Sequence, residues 1–128
     1  MVRVSVLASG SRGNCTVITT SRTRIVLDAG LDLGKTAEQS LTLLRASDQL
    51  ARLGYPLLLS ASNKTFLGKV LDLEIDQRRS ASLAATALGA ALGCRIMRVH
   101  DVAAHRQVCS VLSSINAART ATVATAGP

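Results

Sequence analysis

Apolar and polar positions alternate at the start of the chain, with Val2, Val4 and Val6 set against Arg3 and Ser5, and this period of two predicts a half-buried strand over 2–8. Ser9 to Asn14 reads as a glycine-bearing turn. The β-branched runs 15–20 and 23–27 read as two more strands, so the opening is expected to be a short antiparallel β meander. From Thr36 the period changes. Thr36 and Gln39 form a capping box, Leu41, Leu44 and Ala51 define an apolar face, and Gly54 is placed to end the helix in a left-handed conformation. Pro56 then opens the continuous run Leu57-Leu58-Leu59, which fits a strand buried on both faces and is too short for a helix. Asp76 is the expected N-cap of a second helix that runs through an alanine-rich stretch to Gly93. Residues 94–98 read as a strand continuing toward His100 and Asp101, and Val108, Val111, Leu112 and Ile115 mark a last amphipathic helix. Residues 117–128 lack a period and are expected to fray.

From residue 23 the order is strand, helix, strand, helix, strand, helix, the signature of βαβ units around a parallel sheet. The expected fold class is therefore α/β, with one domain over 1–116 (a meander over 1–24, then βα units over 25–116) and a tail over 117–128. In such sheets the loops at the C-terminal strand ends carry the chemistry. Three polar clusters, at Asp28, at Ser62 to Thr65 and at Arg98 to His100, should share one edge.

The 128 residues include almost no aromatics, so the core must be aliphatic. The net charge of +7 comes from dispersed arginines, and with no aromatic platform for stacking bases it argues against nucleic acid. Cys15, Cys94 and Cys109 are too widely spaced for a zinc site, and the last two are expected as buried thiols. Arg3 interrupts the short apolar start and no run has spanning length, so neither a signal peptide nor a membrane partner is expected, and the cytoplasm is the default compartment.

Arg98 and His100, two apart on a strand, would leave on the same face and hold one anion together. Lys64 adds positive charge, and the start of a short helix at 65–68 would add backbone N–H donors. Asp28 suits two adjacent N–H groups of a heterocycle. A phosphorylated or pyrophosphorylated ligand fits this set. Taken singly, each residue has a duller role as a turn cap, a satisfied histidine or an ion pair.

Three motifs give the chain over 25–117 a resemblance to the C-terminal part of dihydropteroate synthase. Residues 27–35 (Leu-Asp-Ala-Gly-Leu-Asp-Leu-Gly-Lys) are similar to that family's Asp-Pro-Gly-x-Gly-Phe-Gly-Lys loop, residues 62–68 to its Ser-Arg-Lys-x-Phe-x-Gly, and residues 98–102 to its Arg-Val-His-Asp-Val. The resemblance implies the last three βα units of a TIM barrel that joins a hydroxymethylpterin pyrophosphate to p-aminobenzoate in folate biosynthesis, with magnesium assisting. Lys64, Arg98 and His100 would be catalytic. Asp28 would bind the aminopyrimidine edge, Lys64 the pterin ring, Thr65 the p-aminobenzoate carboxylate, and Arg98 and His100 the pterin face and pyrophosphate. Leu33, Lys35, Ser62 and Asn63 would complete the substrate pocket. Ala29, Leu33 and Asn63 replace the family's proline, phenylalanine and arginine. A full barrel needs eight strands and about 250 residues, so the strands that supply a metal-binding Asn lie outside this chain's likeness, and activity as a transferase is expected only once they complete the site. Residues 1–30 also resemble the opening strands of a metallo-β-lactamase-fold hydrolase, without its His-x-His-x-Asp-His motif. The rival expectations are a non-catalytic anion- or pterin-binding fragment that pairs its open sheet edges with another copy or a longer homologue, and a hydrolase remnant.

Overall fold

Strand β4 (Leu57–Leu59) sits between two parallel neighbours. This placement suits its unbroken leucine run, because a strand between two parallel neighbours lies in the interior of the sheet, where Leu57 and Leu59 are buried and Leu58 half-buried. The computed structural model describes the backbone of strands β1 (Arg3–Ala8), β2 (Cys15–Thr19) and β3 (Arg24–Asp28), and residues 31–125 apart from 33. One five-stranded sheet has the order β1-β2-β3-β4-β5, with β5 at Cys94–Met97. The first three strands pair antiparallel, as the meander required, and β3, β4 and β5 pair parallel. The turn over 9–14, Leu33 and the last three residues lie outside the described residues.

Helix α1 (Ala37–Arg45) starts at the expected capping box, with Gln39 N–H donating to Thr36 Oγ1 and Thr36 N–H to Gln39 Oε1. The single helix expected as far as Gly54 is broken at Ala46. The Ala46 N–H is shared between the Thr42 and Leu43 carbonyls, both at 3.1 Å, so the last turn tightens and the chain restarts as α2 (Ser47–Ala51). The kink lets α2 reach β5, where a Cβ on Gly93 would stand 2.9 Å from that of Ala51. Gly54 adopts φ +81, the left-handed stop that its position called for.

After β4 come the short helix α3 (Thr65–Leu71) and a 3₁₀ turn at Ile75–Gln77. Asp76 lies inside that turn and does not cap the next helix; α4 (Arg79–Ala91) begins three residues later. The start is displaced because Glu74 and Gln77 cap the turn reciprocally, and Arg78 is tied back to the Leu73 and Asn63 carbonyls at 3.2 Å each. Strand β5 ends at Met97, so Arg98 and His100 lie beyond it and do not sit on the strand as expected. The last helix, α5, runs Val102–Thr125 and does not fray at residue 117. Alanine and its neighbours there hold helical propensity without an apolar stripe, so periodicity alone placed the end too early.

Leu57, Leu59, Phe66, Leu31 and Leu44 anchor the core, and α4 packs on α5 and β5. Cys94 is buried, whereas Cys109 is half-buried on α5, and neither forms a disulfide among the described residues. Among the described residues no helix is long and apolar enough to cross a membrane.

Candidate functional site

The ends of the three parallel strands are level. Asp28 is paired with Leu59, and Leu59 with Met97, so the chain leaves β3, β4 and β5 at one edge of the sheet. Beyond this line side-chain hydrogen bonds tie the three loops together. The Arg98 backbone N–H donates to the Leu59 carbonyl at 2.9 Å and extends the ladder by a residue, while its guanidinium donates to Ser60 Oγ at 3.3 Å. Ser62 Oγ accepts the His100 backbone N–H at 3.3 Å and lies 3.0 Å from His100 Nδ1. Ser60 and Ser62 thus hold Arg98 and His100 in turn. Both Arg98 and His100 are exposed.

The remaining connection is made by Asp32, which sequence reading did not single out. Its carboxylate accepts the N–H of Thr65 at 2.7 Å and of Phe66 at 3.0 Å, and its own N–H donates to Ser40 Oγ at 3.1 Å. The two amides expected to bind ligand at the start of α3 are therefore already taken by a carboxylate, which is the charge a helix N-terminus favours. Lys64, the residue before α3, has no capping side chain of its own, so Asp32 supplies the cap from a loop 32 residues upstream. Asp32 holds φ +77, a conformation short polar side chains tolerate.

Asn63 is held equally firmly, at φ +57. Its N–H donates to Ser82 Oγ at 2.9 Å, and that hydroxyl lies 3.2 Å from Asn63 Oδ1 and 2.8 Å from the Arg78 carbonyl. The Arg78 guanidinium packs against Gly68, where an added Cβ would stand 2.6 Å from Arg78 Cζ. The loop carrying Ser62, Asn63, Lys64 and Thr65 is thereby braced by α4 from behind and by Asp32 from the front. Lys64 is half-buried, Thr65 exposed, and Ser62 and Lys35 buried. The sheet register places the Asp28 backbone at this edge; its side chain and Leu33 fall outside what the structure describes.

Behind His100 lies a cavity of about 170 Å³, bounded by Ser62, Asn63, Arg79, Ser82, Asp101 and His105 among others. Asp101 caps α5 by accepting the Ala104 N–H at 3.0 Å and pairs with Arg79 Nε at 3.0 Å, and these contacts, the amide first, hold its carboxyl below the usual carboxylate range. His105 is only 3 % exposed, with Nδ1 2.8 Å from Thr86 Oγ1. Burial pushes its pKa below the ordinary histidine value; Asp101 opposes this, and Arg79 and His100 add to it. The folded state therefore holds His105 neutral more strongly than the unfolded chain does. As pH falls through the ordinary value of 6.5, the unfolded chain takes up the proton first, so the stability contribution is complete above that pH and declines below it. Thermal melts across the histidine range should show this decline, and His105→Gln should flatten it; an unchanged slope in the variant would place the titration elsewhere.

Neither His105 nor Asp32 has a local signature, because their partners lie 19 and 33 residues away. Among the described residues no group of three or more His, Cys, Asp or Glu could hold a metal ion.

The family described as pterin binding enzyme matches residues 3–100. Inactive dihydropteroate synthase 2 of Mycobacterium leprae is 42% identical over 99 residues, which cover 77% of this chain and 34% of that protein. The dihydropteroate synthase of Synechocystis is 46% identical over 93 residues, covering 72% and 32%. Among solved structures, Xanthomonas albilineans dihydropteroate synthase with 4-aminobenzoic acid superposes with a TM-score of 0.69 at 33% identity, over 73% of this chain and 34% of that one. The chain thus spans about a third of the length of the curated relatives it matches.

Proposed function

The chain belongs to the pterin binding enzyme family, and on that premise we propose that its strand-end rim is the pyrophosphate and pterin-ring half of a dihydropteroate synthase site. The observation carrying this reading is the pairwise tying of three loops, Asp32 to Thr65, Ser60 to Arg98 and Ser62 to His100, at one level sheet edge. Residues 1–116 act in this reading as one α/β unit equivalent to the last βα turns of a TIM barrel, working in the cytoplasm, with the helix beyond 116 outside the unit.

In the proposed reaction the amine of p-aminobenzoate attacks the pterin methylene carbon, a carbon–nitrogen bond forms, and the carbon–oxygen bond to pyrophosphate breaks. Negative charge accumulates on the departing pyrophosphate. A fixed positive charge and pre-aimed N–H donors placed there lower the barrier because they need no reorganisation as the charge develops. Arg98 and His100 would meet that anion and Lys64 the pterin ring. Asp28 would take the aminopyrimidine edge and Thr65 the p-aminobenzoate carboxylate, with Leu33, Lys35, Ser62 and Asn63 shaping the pocket around them. Among the described residues no cluster of His, Cys, Asp or Glu fits the magnesium that the family implies. Turnover needs the strands that relatives carry and this chain does not match, and the chain alone is expected to bind without catalysing.

Calorimetric titration of the folded chain with hydroxymethylpterin pyrophosphate should give saturable heat. Lys64→Ala and His100→Ala should each weaken binding by about tenfold or more, the equivalent of ~1.4 kcal/mol. A folded sample that gives no heat would overturn the reading. A second reading, that the fragment pairs its open edges with another copy, is favoured by β1 and β5 being the outer strands of the sheet and by the exposed Val102, Val111 and Ile115 of α5; sedimentation as a monomer would remove it. A metallo-β-lactamase-type hydrolase is set aside, because the family match takes in residues 3–30 as well.

A further inference from the structure

Ser62 is 5 % exposed, and its hydroxyl meets His100 twice, at the backbone N–H and at Nδ1. A serine hydroxyl has one proton to give and two lone pairs with which to accept. The backbone N–H can only donate, so it occupies a lone pair. Among the described residues Ser62 Oγ has no other bonded acceptor, and a buried hydroxyl that gave its proton to nothing would forfeit a hydrogen bond. The Ser62 proton therefore goes to Nδ1, which must be the bare nitrogen of a neutral imidazole. The ring proton is then on Nε2. The reverse assignment, with Nδ1–H donating, would leave Oγ accepting two N–H groups with its own proton unplaced.

We propose that Ser62 is a positioning residue that holds the His100 ring as its Nε2–H tautomer and presents that N–H to the anionic leaving group. This rests on the reading of His100 as a pyrophosphate ligand. It reassigns Ser62 from substrate contact to support, since its hydroxyl is spent on His100 and almost none of the residue reaches solvent. A serine beside a histidine also resembles a nucleophile and its base, but only 5 % of Ser62 is exposed and its hydroxyl is engaged by both the backbone and the ring of His100. The support is itself rigid. Ala61 before it is buried, and Asn63 after it is fixed by Ser82 and Arg78. An exposed histidine that would otherwise sample several ring orientations is anchored at two points, so its donor is aimed before ligand arrives.

The ligand-free ¹⁵N-labelled chain, at a pH above the imidazole titration, tests this by long-range proton–nitrogen correlation of the histidine rings. The expected result is a single His100 tautomer, protonated at Nε2 and bare at Nδ1. Ser62→Ala should give averaged nitrogen shifts of exchanging tautomers, and Ser62→Thr, which keeps the hydroxyl, should restore the parent pattern. Amide spectra away from the loop will show that the alanine variant still folds. If it does not fold, the parent and threonine spectra decide the matter by themselves. An Nδ1–H tautomer in the parent, or an alanine variant whose His100 shifts are unchanged, overturns the proposal. No pterin compound is present, so a failure here is distinct from a failure of the proposed function.

Discussion

Truncating Leu59 to alanine is expected to destabilise the chain by about 2–5 kcal/mol, the cost of a cavity in a site that cannot collapse. Leu59 is 1 % exposed at the centre of the sheet, paired on one side with Asp28 and on the other with Met97. Above it lies Gly89 of α4, where a Cβ would collide with Leu59 Cδ2 and come within 3.6 Å of Cys94 Sγ. Gly89→Ala should therefore also destabilise, because overpacking costs about 1–3 kcal/mol, against a gain of about 1 kcal/mol in helix propensity. The two changes should not add. With Leu59 already truncated the collision is gone, and Gly89→Ala should become neutral or stabilising by up to ~1 kcal/mol. Urea denaturation of the parent, the two single variants and the double variant gives the coupling directly. Strict additivity would mean that α4 does not rest on β4 through this contact, and that the rim above is not held by it.

The same contact explains which parts of the fold were legible in the sequence. An unbroken leucine run between Pro56 and small polar residues has few solutions other than a central strand, and the Thr36–Gln39 box acts over a single turn, so both were read correctly. The meander was legible for the same reason, through its period of two. What failed were boundaries set by distant partners. Nothing local says that Ala46 must break a helix for α2 to reach β5, or that Arg78 is tethered to Asn63 and Leu73 and so delays α4 past Asp76. The site divides in the same way. Motif spacing brought the lysine loop and the arginine–histidine pair to one edge, but it placed Arg98 and His100 on a strand that ends at Met97. It also left the α3 amides open when Asp32, well upstream, fills them.

Asp32 accordingly provides the sharpest test of how the rim is assembled. Asp32→Ala removes both carboxylate acceptors from the Thr65 and Phe66 amides and should cost about 0.5–2 kcal/mol of stability, as the loss of a helix cap does. The effect on ligand should exceed what that figure implies. Lys64 immediately precedes α3 and has no cap of its own, so once the helix start is freed the Lys64 backbone loses its fixed position; affinity for hydroxymethylpterin pyrophosphate should fall by about tenfold or more, roughly 1.4 kcal/mol. Asp32→Asn keeps the side-chain shape, one oxygen acceptor and tolerance for φ +77, and should retain most of the stability and an intermediate affinity. Asp32→Gly separates the remaining possibilities, since it relieves the backbone conformation while abolishing the cap. Binding that follows the cap across Ala, Gly and Asn, measured by calorimetry on samples melted in parallel, is the expected pattern. Stability that falls in all three while affinity stays at the parent value would show that the two loops are joined for folding alone, and that Lys64 is aimed by something other than Asp32.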